Sequence, residues 1–347
     1  MRRLRIGVIG CGRISSVYVQ VFKSLSEDVT VCYAVDKVRE RAKEVASHFP
    51  GCGYSQDIQA LLEQKPDVVH VLTPHFLHKE HVIKALKAGC NVLTEKPIAL
   101  SVADAQEMIS VAGETGKQLG VIFQNRYIEG VQEAKRLLTE GRMGKVTGAW
   151  STLNWWRPAS YYQCDWKGSW EKEGGGVVID QAIHSIDLVR HLMGCEVVSI
   201  KAQIDRRVLQ SIEVEDVASA AIRFENDAVY SFYACNYYTS NSPIRVELTC
   251  ERGTVLLTED MVTIVRDNKE HTIRPIGVDN GGERYWGGYH QAQIKDFYDK
   301  LQSGRPVPIE PADAAKTLAV VLGIYRSAKE NCAVKPEAVL ATEKNTP

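Results

Sequence analysis

The sequence predicts an α/β protein in two parts, a doubly wound parallel sheet over residues 1–124 and an α+β unit with a mostly antiparallel sheet over residues 125–347. Three observations carry that prediction. Short apolar runs alternate with helical spacings through the first third of the chain. A glycine-rich turn, Gly10-Cys11-Gly12-Arg13-Ile14-Ser15, joins the first run to the first helical spacing. Beyond Gly194 the pattern changes to alternating, β-branched-rich runs separated by polar turns. At 347 residues, two domains are the default, each large enough to bury a core.

Leu4–Ile9 is a short apolar run and residues 17–25 have helical spacing, so the glycines between them form a tight strand-to-helix turn. Gly10 permits the turn and Gly12 lets backbone amides approach a pyrophosphate. The helix start, with Cys11, Arg13 and Ile14 beside it, supplies the positive end of a dipole. Ser15 stands where a third glycine or alanine is usual. The next run, residues 30–35, ends at Asp36, 26 residues after Gly10, where an acid can hydrogen-bond an adenosine ribose. A carboxylate there repels a 2′-phosphate, which favours NAD as cofactor. Lys37, Arg39 and Arg41 follow closely and leave NADP open.

Helical spacing covers residues 39–48 and 57–64, and a strand at 68–72 ends in Thr73-Pro74-His75. Thr73, Pro74 and His78 are expected to meet the ribose and nicotinamide end of the cofactor. His75, His78 and His81 rotate around a helix without a cysteine or carboxylate to complete a tetrahedral set, so no metal site is expected. The strand Asn91–Thr94 then delivers Glu95-Lys96-Pro97 to the carboxyl edge of the sheet, where open parallel sheets bind ligands. Pro97 prevents a simple helical continuation. Lys96 is the first candidate catalytic group, and Glu95, Lys96 and Pro97 are expected cofactor contacts. A helix at 102–115 and a strand at 119–123 complete the first unit.

The second unit opens with Gln124-Asn125-Arg126-Tyr127, a helix at 130–140 and a strand at 146–154. Four of the six tryptophans then fall within sixteen residues, at Trp155, Trp156, Trp166 and Trp170. Such a segment is either a satellite core or a wall for sugar or base faces. Asn125, Arg157, Tyr162 and Trp166 are the expected substrate contacts, Arg157 offering a planar fork for a carboxylate or phosphate. Gly174-Gly175-Gly176 opens a helix expected over 177–193, in which Asp180, His184, Asp187 and His191 share one stripe. Ionisable groups on an otherwise apolar helix are costly unless they line a site, and Asp180 and His184 are the stronger pair. Strands expected at 197–204, 217–224, 229–237, 245–250, 255–257 and 262–265 read as a meander. A loop at 277–288, helices at 289–301 and 312–331 and a loosely held tail after Val334 follow. His290 could face the active site, although a single histidine at a helix start reads first as structural.

Net charge is −1 with 24% charged residues, which gives no basic field for nucleic acid or anionic lipid. The nine cysteines include no Cys-x-x-Cys pair, and no stretch reaches membrane-spanning length. Together these predict a cytoplasmic protein that acts on a small molecule.

With GCGRIS, Asp36, the Thr-Pro-x-x-x-His stretch, Glu-Lys-Pro and Gly-Gly-x-x-x-Asp-x-x-x-His in order, the sequence resembles the glucose-fructose oxidoreductase/inositol dehydrogenase (Gfo/Idh/MocA) family. The resemblance implies a Rossmann domain followed by an open, mostly antiparallel sheet whose face mediates homo-oligomers, dimers or tetramers. It implies hydride transfer between a sugar-type alcohol and nicotinamide, with Lys96 near the reacting carbon, His184 as general acid/base and Asp180 orienting it or touching substrate. The run from Trp155 to Gly176 and the stretch FQNRY also resemble the UDP-N-acetylglucosaminuronate 3-dehydrogenase branch. That branch carries Asn where this chain has Asp180, the residue of inositol and free-sugar dehydrogenases. Free sugars, polyols and nucleotide-sugars therefore all stand as substrates. The alternatives from other classes are a nicotinamide-binding sensor without turnover and a metal-assisted lyase or hydrolase on His184, Asp187 and His191.

Overall fold

A computed structural model describes residues 2–274 and 289–337. The expected loop at 277–288 and the tail from 338 onward lie outside the described residues. The first sheet comprises β1 (Leu4–Ile9), β2 (Val29–Val35), β3 (Gly53–Ser55), β4 (Val68–Val71), β5 (Asn91–Thr94) and β6 (Leu119–Val121), in the order β3-β2-β1-β4-β5-β6. Every pairing is parallel, as short apolar strands buried on both faces require. The three-residue edge strand β3 lacks an apolar run, so the sequence pattern passes over it. Helices α1 (Ser15–Ser24), α2 (Arg39–Ser47), α3 (Ile58–Leu62), α4 (His78–Lys87) and α5 (Val102–Thr115) make the crossovers. Local chemistry sets their ends. Ser101 caps α5 by accepting from the Asp104 amide at 3.0 Å, and Gly116 ends it with a φ of 62°.

After α6 (Glu129–Thr139), β7 (Val146–Asn154) and α7 (Ile183–Met193) come β8 (Val197–Asp205), β9 (Val217–Phe224), β10 (Val229–Cys235), β11 (Arg245–Cys250), β12 (Gly253–Thr258), β13 (Met261–Arg266) and β14 (Lys269–Ile273). The eight strands are ordered β14-β13-β12-β11-β7-β10-β9-β8. This is not the expected meander, because β7 inserts between β11 and β10 and runs parallel to β10. Burial alternates along β10, with Tyr230 and Phe232 inward and Val229, Ser231 and Tyr233 outward, so one face is core and the other open. Helix α9 (Pro311–Glu330) covers the inner face, its Leu318, Val321 and Ile324 sharing a core with Ile200 and Ala202 of β8.

Helix α8 (His290–Gln302) returns to the first sheet. Ile294, Phe297 and Tyr298 join the core of Ile6, Val8 and Phe22, while Gln293 accepts from the Phe123 amide at 3.0 Å and donates to the Val121 carbonyl at 2.8 Å, satisfying the edge of β6. No described helix is long and apolar enough to cross a membrane.

The expected stripe on the helix at 177–193 does not form as drawn. Residues Val178–Ala182 make a π turn before α7 begins, and the wider turn rotates Asp180 relative to the α7 residues. Asp187 consequently faces Arg126, accepting at 2.7 and 2.6 Å, and also accepts from Thr317 at 2.8 Å. Arg126 bonds Asp313 at 2.6 Å as well. This is a buried structural ion cluster tying the 124–127 turn, α7 and α9 together. Asp187→Ala leaves the buried Arg126 guanidinium with Asp313 as its one remaining carboxylate among the described residues and should lower stability by about 3 kcal/mol. Chemical denaturation reads that loss as an early midpoint, and an unshifted midpoint would refute the assignment.

Candidate active site

A cavity of about 1220 Å³ runs from the glycine turn to α7. Gly10 has a φ of 96° and a Cβ there would lie 2.7 Å from the Leu72 carbonyl carbon, so β1 and β4 approach closely only with glycine. A Cβ on Gly12 would meet nothing within 4 Å, which leaves its backbone open to the cavity. Asp36 accepts from the Cys11 amide at 2.7 Å and the Val38 amide at 2.8 Å, fixing its carboxylate at the cavity wall. Cys11 lies beside it with its thiol pushed up to about 12 by burial and by Asp36, so it is inert. These features fit a dinucleotide, with the turn amides and helix α1 for its phosphates and Asp36 for its ribose.

Gly10, Cys11, Gly12, Arg13, Ile14, Asp36, Thr73, Pro74, Glu95 and Lys96 all line this cavity, as do Asn125, Arg157, Trp166, Asp180 and His184. Three expected contacts do not. His78 is fully buried, with Nδ1 2.7 Å from the Pro97 carbonyl and Nε2 2.8 Å from the Thr73 carbonyl. It braces the loops after β4 and β5 from behind, and Pro97 is part of that brace rather than of the wall. Tyr162 turns into a small core with Ile212 and Val214 and accepts from Asn236 at 3.0 Å. Its neighbour Tyr161 faces the cavity instead.

At the centre, Lys96 Nζ donates to the Asp180 main-chain carbonyl at 2.5 Å and lies 3.4 Å from its Oδ1. Asp180 Oδ2 accepts from Lys167 at 2.5 Å, Tyr161 at 2.7 Å and Gln181 at 2.6 Å. Burial alone would raise this carboxyl, but Lys167, Lys96 and His75 hold it well below the usual carboxylate range. Lys167 in turn lies 4.3 Å from the Trp166 ring centroid and 4.6 Å from that of Tyr161. Burial would also raise Glu95, yet His290, Lys96 and Tyr18 hold it down to about 2, with the Tyr18 hydroxyl donating at 2.8 Å.

His184 does not bond Asp180 directly, so of the two roles implied for the aspartate, orienting the imidazole or touching substrate, this geometry displays no direct orienting contact. The His184 Nδ1 is buried without a partner among the described residues, and burial together with Lys96 pushes its pKa down to about 3, so the ring is neutral. The aspartate acts on the lysines. His191 lies away from the cavity, and among the described residues no three His, Cys, Asp or Glu side chains are placed to hold a metal ion.

Arg157 is buried, its guanidinium 4.6 Å from the Trp155 ring centroid and donating to the Trp156 carbonyl at 2.9 Å and Asn241 at 3.0 Å. Sequence reasoning missed Tyr161, Lys167, His75 and Glu215. His75 sits against Trp166 with ring centroids 4.9 Å apart and its Nδ1 2.8 Å from the Glu173 carbonyl. Glu215 accepts from the Gly176 and Val178 amides at 2.8 and 3.0 Å, anchoring the π turn. A Cβ on Gly176 would lie 1.9 Å from the Glu215 carbonyl oxygen, so the glycine run serves close packing. The acid and base residue types alone could have flagged Lys167 and Glu215, but no periodicity connects them to the site. Losing the charged hydrogen bond in Tyr161→Phe should slow turnover about 10-fold, whereas Tyr162→Phe should cost about 1 kcal/mol of stability and leave turnover intact. Parallel NAD-reduction and denaturation assays separate the two, and equal turnover would refute the assignment of Tyr161.

The family description "Oxidoreductase family, NAD-binding Rossmann fold" matches residues 4–123, and "GFO/IDH/MocA C-terminal domain" matches residues 131–256. D-glucoside 3-dehydrogenase of Escherichia coli is 27% identical, over 96% of this chain and 97% of that protein. Myo-inositol 2-dehydrogenase of Thermotoga maritima is 26% identical, over 97% and 100%. Among solved structures, the WlbA dehydrogenase of Bordetella pertussis in complex with NADH and UDP-GlcNAcA superposes with a TM-score of 0.84 at 26% identity, covering 97% of this chain and 100% of that one. With both units matched in order and a dinucleotide cradle leading to a lysine-aspartate-histidine centre, the chain belongs to the GFO/IDH/MocA family of NAD-binding oxidoreductases.

Proposed function

We propose that this protein oxidises a sugar-type secondary alcohol, reversibly, with NAD as the hydride acceptor. The observation that carries this reading is the convergence of Lys96, Asp180 and neutral His184 on one cavity continuous with the glycine turn and Asp36. Bound nicotinamide supplies the redox chemistry. His184 accepts the hydroxyl proton, for which a neutral ring is required. Lys96, held by the Asp180 carbonyl, presents an ammonium to the developing alkoxide. Asp180 keeps Lys167 charged and holds both Lys96 and Lys167 in place. Trp166 and Tyr161 supply ring faces and edges against which a saccharide packs, and the relatives that act on glucosides, inositols and a UDP-linked uronate support free sugars, polyols and nucleotide-sugars as the substrate class. A sensor without turnover would have no use for this acid/base set.

In this reading the dinucleotide unit ends near Gln124 and the remainder binds substrate, apart from α8, which returns to the first sheet. A reducing, cytoplasmic setting is supported by the nine free cysteines. Assembly into a dimer or tetramer through the outer sheet face is supported by Val229 and Tyr233, 41% and 37% exposed on β10.

Mixing the protein and NAD with panels of polyols, free sugars and UDP-linked sugars should raise nicotinamide absorbance in at least one panel. Lys96→Ala should cut that rate by about 10²–10⁴ with the fold intact, and an undiminished rate would remove Lys96 from the mechanism. The proton-accepting form of His184 persists above its folded pKa and is lost as pH falls through it. The acid limb of kcat/KM should therefore lie below the ordinary imidazole value of 6.5, and a limb at 6.5 or higher would refute the buried neutral base.

A further inference from the structure

At the adenosine end of the cavity the side chain that follows Asp36 is tied across the cleft. Lys37 Nζ pairs with the Asp165 carboxylate, a residue of the aromatic segment 128 positions away. Both line the same cavity as Asp36. Each end is also anchored through its backbone, Gln56 donating to the Lys37 carbonyl at 2.7 Å and Lys172 donating to the Asp165 carbonyl at 2.9 Å. Arg39, the next cation along, lies over the Tyr54 ring at 5.3 Å from its centroid. The cations that a 2′-phosphate would need beside Asp36 thus begin with one that is already engaged.

We propose that Asp165 is a cofactor-selectivity residue, which withholds the Lys37 ammonium from a 2′-phosphate and so enforces NAD over NADP from the substrate-binding unit. The inference rests on the NAD reading of this cleft and adds to it a determinant outside the nucleotide unit. The pair is 65% and 64% exposed, so it contributes little to stability and its removal leaves the fold intact. Its effect lies in where the charge sits. With Asp165 present, a 2′-phosphate meets the Asp36 carboxylate and a lysine already neutralised. Without Asp165, the same lysine is a free cation on a flexible stem within the cavity wall.

Fluorescence titration with NADH and NADPH, on the full chain at low ionic strength, tests this in wild type, Asp165→Asn, Lys37→Ala and the double variant. Arg41, which lines the cavity from α2, is kept throughout. Asp165→Asn should tighten NADPH about five-fold relative to NADH, and added salt should shrink the gain. The gain should vanish when Lys37→Ala is combined with it. Simple loosening of the aromatic segment would weaken both dinucleotides alike and leave their ratio unmoved. An unmoved ratio in a protein that binds NADH overturns the inference alone, as does a gain that survives Lys37→Ala. A wild-type chain that binds neither dinucleotide overturns the NAD reading and this inference with it.

Discussion

The partly buried contact between Lys96 and Asp180 is the constraint on which the rest of the site depends. It joins the loop after β5 to the π turn before α7, so it fixes the first sheet against the second unit at the point where chemistry is expected. A partly buried ammonium and a buried carboxylate are each unfavourable alone. The structure meets that cost with several partners rather than one, as Lys167, Tyr161 and Gln181 complete the aspartate. The lysine is held chiefly by a main-chain carbonyl, whose position does not depend on protonation. Its charge therefore remains directed at the cavity.

That carbonyl stays in place because the π turn is itself anchored. Glu215 gathers two amides at its start, Tyr325 donates to Glu215 at 2.9 Å, and the glycines allow these groups to approach without side-chain collision. Burial pushes the Glu215 carboxyl up to about 7. The irregular turn is thus a supported feature that lets Asp180 face Lys96 while Asp187, seven residues on, serves the ion cluster with Arg126.

Most of the fold was legible because its signals are local. Apolar runs marked the parallel strands, the glycine turn and Asp36 marked the cradle, and the spacing after Gly176 pointed to Asp180 and His184. What escaped depended on tertiary packing. The π turn has no periodic signature, so the helical stripe was drawn one turn too regular. Tyr161 and Tyr162 are adjacent and chemically alike, and only the seating of Ile212 and Val214 decides which faces the cavity. His78 carries the expected residue type in the expected place, yet two carbonyls claim both its nitrogens. The insertion of β7 beside β10 is a long-range pairing that alternation along single strands does not encode.

Helix α8 changes how the two units are connected. The chain leaves the first sheet after β6, is back on it by residue 290 and leaves again for α9, so three covalent crossings join the two units. Gln293 and Tyr298 are seated in the edge and core of the first sheet, so α8 belongs with that sheet although it lies far along the chain from it. The core of the dinucleotide unit is therefore completed from residues 294–298, and a fragment cut after residue 124 would expose the apolar surface that Ile294, Phe297 and Tyr298 cover.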